Sequence, residues 1–424
     1  MELTPETRTT RPSAPVHYGF VVLAVIGLVV FGSLGLARFG YTSVLPAMQD
    51  SLRLTNTQTG ELQSWNLLGY LVTVVFAGLL AARFGPRVVI SISLLITGTA
   101  MILTGLIPTF GGACLGRFLA GVGGAGGNVP AMALVSAWFG ARRRGIASGA
   151  GVGGSSLGLI VTGPLIPAIL ARHGAEGWRV CWYVLGAMAL GVFLLCVLLL
   201  RNRPAEMGLR PLGDTEAESQ QRDAEQRASS LDWGLIYRSR VLWHLAAIYF
   251  AFGFSYIIYA TFFIRHLVKD GGFTKTDAGL LWLTIGMVSG ISGFVWGGVS
   301  DRWGRRVALL AVFVLQGLSF LVFGLSHERP AVYLSAGLFA MTAWSIPALM
   351  AALCGDEFGA RLAPAALGLL TITFGIGQVL GPYLAGRIAD ATQSFSPAFV
   401  TAGVVALVLG AGGSFLLRPG VRRR

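Results

Sequence analysis

Apolar runs of about twenty residues, each long enough to cross a bilayer as a helix, follow one another along almost the whole chain. Short polar breaks separate them. Twelve spans are expected, at 18–48, 58–82, 88–108, 111–138, 145–171, 178–200, 241–266, 276–299, 307–326, 331–354, 364–390 and 396–417. One polar stretch is long: residues 201–240 stay polar and charged until Leu231. It reads as a hydrophilic linker with a short interfacial helix near Trp233. The expected fold class is an all-α membrane protein with a six-helix bundle in residues 1–200, the linker at 201–240 and a second six-helix bundle in 241–424.

The two bundles repeat each other. At an offset of 219 residues, Thr55 and Gly60 meet Thr274 and Gly279, RFG at Arg83–Gly85 meets RWG at Arg302–Gly304, and FGAR at Phe139–Arg142 meets FGAR at Phe358–Arg361. Gly149 meets Gly368, and at an offset of 218 Gly163-Pro164 meets Gly381-Pro382. Two parallel halves of this kind place a substrate site between them, near the bilayer midplane. Thr55 with Gln58, and Thr274 with Asp277, have the capping-box spacing that satisfies free N–H groups at a helix start.

Composition agrees: 54% of residues are hydrophobic and 12% charged, against about 25% charged in soluble domains. The N-terminal MELTPETRTTRPSAP lacks the apolar core of a signal peptide, so the first span is expected to stay in the mature protein. The net charge of +13 reflects topology rather than nucleic-acid binding. With the N-terminus inside, twenty-two Lys and Arg fall on the inner side and eight on the outer, leaving Arg38 and Arg117 within spans. That bias puts both termini and the linker in the cytoplasm of a bacterial inner membrane. Cys114, Cys181, Cys196 and Cys354 fall in or beside apolar runs and read as small apolar fillers. There is no phosphate loop, metal-ligand spacing or nucleophile–base pattern, so neither an enzyme nor a cofactor or metal is expected.

GGVSDRWGRR, Gly297–Arg306, follows span eight. It resembles the signature loop of the major facilitator superfamily, whose fold is twelve helices in two pseudo-symmetric six-helix bundles. The resemblance implies a gating latch made by Asp301, Arg302, Gly304 and Arg305. The first-half copy, GLLAARFGPR, keeps Arg83 but has Ala82 and Pro86 in place of the acid and an arginine. RFLAGVGG from Arg117 and GIGQVLGPYLAG from Gly375 also resemble family patterns. In SSLGLIVTGPLIPA, Ile166 and Pro167 replace two glycines of the antiporter form. ARFGYTSVLP of span one is similar to a branch of bacterial permeases, and RNRPAEMGLRPLG after span six resembles carriers related to monocarboxylate and oxalate/formate transporters.

Charge inside a membrane is costly, at least about 2.5–3.5 kcal/mol at the centre, and marks function. Arg38 lies about ten residues before the outer end of span one, so roughly 15 Å deep, with no equally deep acid. A guanidinium cannot escape by deprotonating. Either a substrate oxyanion completes it, or backbone carbonyls, polar side chains or a water defect do. Arg117, about six residues into span four, is close enough to the outer end to snorkel and is the candidate coupling residue. Tyr41, Asn66, Tyr70, Asn128, Tyr256, Tyr259, Trp344 and Gln378 are further candidates for substrate contact, each with helix packing as the alternative. Tyr41 is expected on the face of Arg38 and Tyr256 on that of Tyr259, by their i, i+3 spacing.

The expected function is alternating-access transport of a small organic anion, with proton symport as the default mode. Anion exchange and drug efflux are the alternatives. Expected partners are the anionic substrate, protons and membrane lipids, with the carrier acting as a monomer.

Overall fold

Helix starts carry side-chain caps at Thr55, Thr109, Ser239 and Thr274. Thr55 closes the expected box with Gln58: Gln58 N–H donates to Thr55 Oγ1 at 3.1 Å and Thr55 N–H to Gln58 Oε1 at 3.0 Å. Asp277 N–H donates to Thr274 Oγ1 at 3.0 Å. Gly85 and Gly304 end spans two and eight at φ +86° and +95°, a region in which a side chain would be strained.

The computed structural model describes residues 17–213 and 238–417; the helix anticipated near Trp233 lies outside the described residues. The spans are Gly19–Leu52, Asn56–Phe84, Pro86–Leu106, Phe110–Trp138, Ala141–Val152 continuing as Gly154–His173, and Gly177–Leu199 in the first half. In the second they are Arg240–Lys269, Lys275–Trp303, Arg305–Leu325, Arg329–Gly359, Ala365–Thr392 and Ser396–Leu416. Spans five and six are joined by a tight turn at Gly174–Glu176. Spans two and three coincide with eight and nine at both ends under the 219-residue shift. Span one has a wide π-helical stretch, Phe31–Phe39, ending beside Arg38.

Backbones meet at glycines, the usual device for packing helices in lipid. A Cβ on Gly121 would lie 1.9 Å from the Asn66 carbonyl, and one on Gly158 would lie 2.2 Å from Gly35. The halves also meet this way. A Cβ on Gly60 would lie 2.1 Å from the Pro382 carbonyl, and Gly163 and Gly279 face each other equally closely.

All these inter-half contacts lie toward one side, here the distal face; the opposite, terminal face carries His17, Leu417 and residues 200–213. Hydrogen bonds between the halves run from the distal ends to mid-span, as far as Ser156, Ser289 and Trp344. At the terminal face the Ala141–Val152 stretch packs on spans one and four of its own half, and among the described residues spans four and ten form no packed interface. The halves are shut distally and pack less toward the terminal face, where Phe294 of span eight still meets Gly149. Gly60→Val should therefore strain only the shut state, by about 1–3 kcal/mol as overpacking does. The expected result is faster thiol labelling of cysteines placed at the distal ends.

Candidate functional site

Arg38 is only 5% exposed, midway along span one. Its guanidinium carbon sits 4.4 Å from the centre of the Tyr70 ring. A ring face attracts the charge but offers the N–H groups no oxygen. Nε and Nη2 are buried and have no hydrogen-bond partner. These two nitrogens form one edge of the guanidinium plane, and their N–H bonds point the same way. That edge fits two oxygens of one carboxylate or sulfonate. Among the described residues no Asp or Glu is buried.

Both halves surround this edge. Asn128 Nδ2 donates to the Tyr70 hydroxyl at 3.1 Å, and both residues are half-buried. From the second half, the Tyr256 hydroxyl lies within hydrogen-bonding reach of the Arg38 guanidinium and accepts a hydrogen bond from Gln378 Nε2. Trp344 packs on Phe39 at 5.2 Å and on Tyr256 at 6.5 Å, and its indole N–H donates to Ser156 Oγ at 3.1 Å. Trp344 stands at a break in span ten, between Thr342 and Ser345. At the 218-residue offset Tyr256 is the repeat mate of Arg38, so pseudo-symmetry brings the two together.

The same symmetry corrects three expectations. Tyr41 turns to Arg117 rather than Arg38: the Arg117 guanidinium lies 4.6 Å from its ring centre, and its hydroxyl donates to the Thr59 carbonyl at 2.7 Å. Arg38 lies inside the π stretch and Tyr41 in the α-helix after it, and the two side chains meet different neighbours. Tyr259 meets Ser335 at 2.8 Å inside the second half. There it is ringed by Phe263, Phe320, Phe323 and Phe339 and does not share the face of Tyr256. Arg117 does not snorkel. It is fully buried, donating to the Ala37 carbonyl at 2.5 Å and to Gln63 Oε1 at 2.6 Å. Asn66 joins this bracket, donating to the Arg117 carbonyl at 3.0 Å. Spans one, two and four are tied together at one point.

The signature loop makes a clamp within the second half. Arg305 donates to Asp301 at 2.6 Å, to Ser300 at 2.8 Å and to Asp356 near the end of span ten at 2.9 Å. Asp356 was not among the expected residues, because its pairing with Arg305 bridges 51 residues. Gly304 makes the turn. Arg302 and Arg83 are exposed beside the exposed aromatics Trp303 and Phe84, as suits residues at a membrane boundary. In the first half, where Ala82 and Pro86 cannot form the clamp, Asn202 substitutes: Arg87 N–H donates to its side chain at 2.8 Å.

The distal seam is polar, and its key acids were also missed. Asp390 of span eleven accepts from Asn56 N–H at 2.9 Å, Thr57 N–H at 2.8 Å and the Thr57 hydroxyl at 2.5 Å. It thereby caps the positive N-terminal end of span two in the other half. Arg265 donates to Asp270 at 2.9 Å and reaches across to Asn56 at 3.1 Å and Gln49 at 3.4 Å. Burial acts against the Asp270 charge, but the His266 hydrogen bond and the Arg265 charge outweigh it and hold the carboxyl below the usual carboxylate range. A depressed carboxyl stabilises above its unfolded value and stops doing so as pH falls through its folded one. At neutral pH Asp270 holds its partners in full.

Comparison with known proteins places this architecture. The chain is 26% identical to "Probable sulfoacetate transporter SauU" of Cupriavidus necator, over 94% of each chain. It is 22% identical to "Hexuronate transporter" of Bacillus subtilis, over 88% of each. It is 25% identical to "Monocarboxylate transporter 2" of Mesocricetus auratus, over 93% of this chain and 82% of that one. Among solved structures, a bacterial homolog of the human lysosomal transporter Spinster, inward-facing and unoccupied, superposes with a TM-score of 0.73. That match is 18% identical and covers 95% of this chain and 97% of that one. The family model described as "Uncharacterised MFS-type transporter YbfB" matches residues 30–413. With twelve spans, a repeated fold and this match over most of its length, the chain belongs to that family of major facilitator superfamily transporters, multi-pass membrane carriers and not enzymes.

Proposed function

We propose that this carrier moves a small organic anion across a bacterial inner membrane by alternating access, and that Arg38 is its anchor. The observation that carries the reading is the buried Nε/Nη2 edge of Arg38 with no acceptor. Leaving a buried charge uncompensated costs several kcal/mol, about 3–5 when a partner is removed from a buried pair. A bound oxyanion would supply that partner. The relatives named for sulfoacetate, hexuronate and monocarboxylates support an anionic cargo.

Tyr70, Asn128, Tyr256, Gln378 and Trp344 complete the site, while Tyr41, Asn66, Tyr259 and Arg117 hold the helices that frame it. The terminal face, where Lys and Arg concentrate, is cytoplasmic, with residues 201–240 linking the halves on that side. The shape described above is then the inward-open state. The Asp301–Arg305–Asp356 clamp keeps spans eight, nine and ten together as the halves rock. Uptake is coupled to protons, and the carrier works as a monomer.

Proteoliposomes test this with labelled sulfoacetate, lactate and glucuronate. Uptake of at least one, stimulated by an inward proton gradient, is expected. Transport of ethidium with none of the anions would favour drug efflux and overturn the reading.

A further inference from the structure

The distal seam contains a histidine that the anion site does not use. His266, in the last turn of span seven, is 2% exposed. Its Nδ1–H donates to Asp270 at 2.8 Å, since a carboxylate only accepts. Its other nitrogen, Nε2, is buried with no partner. Phe323 of span nine and Phe399 of span twelve stand against the ring at 5.0 and 4.9 Å, and the His327 ring lies at 5.0 Å. The titratable and charged groups acting on it are Asp270, Arg265 and His327; Phe323 and Phe399 bring none. Asp270 is shared, because Arg265 donates to both its oxygens at 2.9 and 3.1 Å. Arg265 is also the residue that reaches Asn56 and Gln49 of the other half. One carboxylate therefore joins His266 to one of the contacts that shut the distal face.

We propose that His266 is a proton-binding site whose occupancy opens the distal gate. The neutral ring has one N–H, and the shut gate offers it one acceptor. A proton taken from water onto Nε2 makes a second N–H that points into buried surroundings with no acceptor, which is costly. The same proton turns the ring into a cation next to Arg265, and the two compete for Asp270. Both effects weaken the shut state relative to one in which the ring meets water. Asp270 is already ionised at neutral pH, so the added proton goes to the ring. The inference concerns the gate alone and does not depend on which anion is carried.

The test uses the full chain in nanodiscs, with spin labels on cysteines placed at exposed Ala175 and Lys275, one on each half. Electron–electron distances are read from about pH 8 to about pH 5, the range in which histidine changes charge. The unsubstituted histidine should give a growing long-distance population as pH falls. His266→Gln keeps a donor for Asp270 but cannot take the proton, and should stay short throughout. The same response in His266→Gln, or no response with His266 intact, overturns the proposal. A second measurement needs no change at His266: with ¹⁵N-labelled histidine, the His266 ring should gain its proton over the pH range in which the distances lengthen. A ring that stays neutral while the gate opens also overturns it.

Discussion

Arg38→Gln is expected to remove anion uptake and to leave a carrier at least as resistant to heat as the parent. The two outcomes have one cause. The guanidinium edge is buried and lacks an acceptor, so in the empty protein the charge is a burden. Glutamine removes the charge and keeps a hydrogen-bonding head of similar reach. With anion bound, the balance reverses: truncating one partner of a buried, hydrogen-bonded charge pair costs about 2–5 kcal/mol of binding. Uptake measured in liposomes and melting of the purified protein check both halves of this expectation. A marked loss of heat resistance would mean that Arg38 is a structural residue.

Arg117→Met should do the opposite, lowering stability sharply. The guanidinium ties span four to the Ala37 carbonyl of span one and to Gln63 of span two, and it lies over Tyr41. Methionine fills most of the volume but leaves the Ala37 carbonyl and the Gln63 amide oxygen without their donor. Each hydrogen bond to a charged group contributes about 1.5–3 kcal/mol, so a loss of about 3 kcal/mol or more is expected. The measurement is the midpoint of thermal unfolding together with the yield of folded protein. The two arginines are both deep in the first half, and they are distinguished by what meets their nitrogens. Arg117 Nη1 and Nη2 find oxygens of the protein and only its Nε is unmet, whereas Arg38 Nε and Nη2, a whole edge, find none.

Much of the fold was legible because membrane helices write themselves as hydropathy. The 219-residue repeat survives in the structure to the end residues of spans two, three, eight and nine. The caps at Thr55 and Thr274 were readable because a capping bond spans only three residues. Arg38 was readable because a permanent charge in an apolar run has few explanations.

What sequence spacing could not supply was rotation and long-range pairing. Arg38 lies inside the π stretch, and Tyr41, in the α-helix that follows, turns to Arg117. The two halves instead pair Arg38 with Tyr256 and leave Tyr41 and Tyr259 in equivalent interior brackets. The clamp and seam acids, Asp356 and Asp390, sit near helix ends, where an acid is unremarkable until its partner 51 or 333 residues away is known. The depth of Arg117 was misread for a related reason: a position near a helix end can still be enclosed by neighbouring helices.

The most direct measurement is calorimetric titration of the purified carrier with sulfoacetate, lactate and glucuronate, repeated on Arg38→Lys and Arg38→Gln. Lysine keeps the charge and loses the two-pronged edge. If that edge is the anchor, an anion that binds the parent should bind Arg38→Lys about tenfold or more weakly, as loss of one charge-assisted hydrogen bond implies. It should show no binding to Arg38→Gln. Equal affinity for all three proteins would contradict the account.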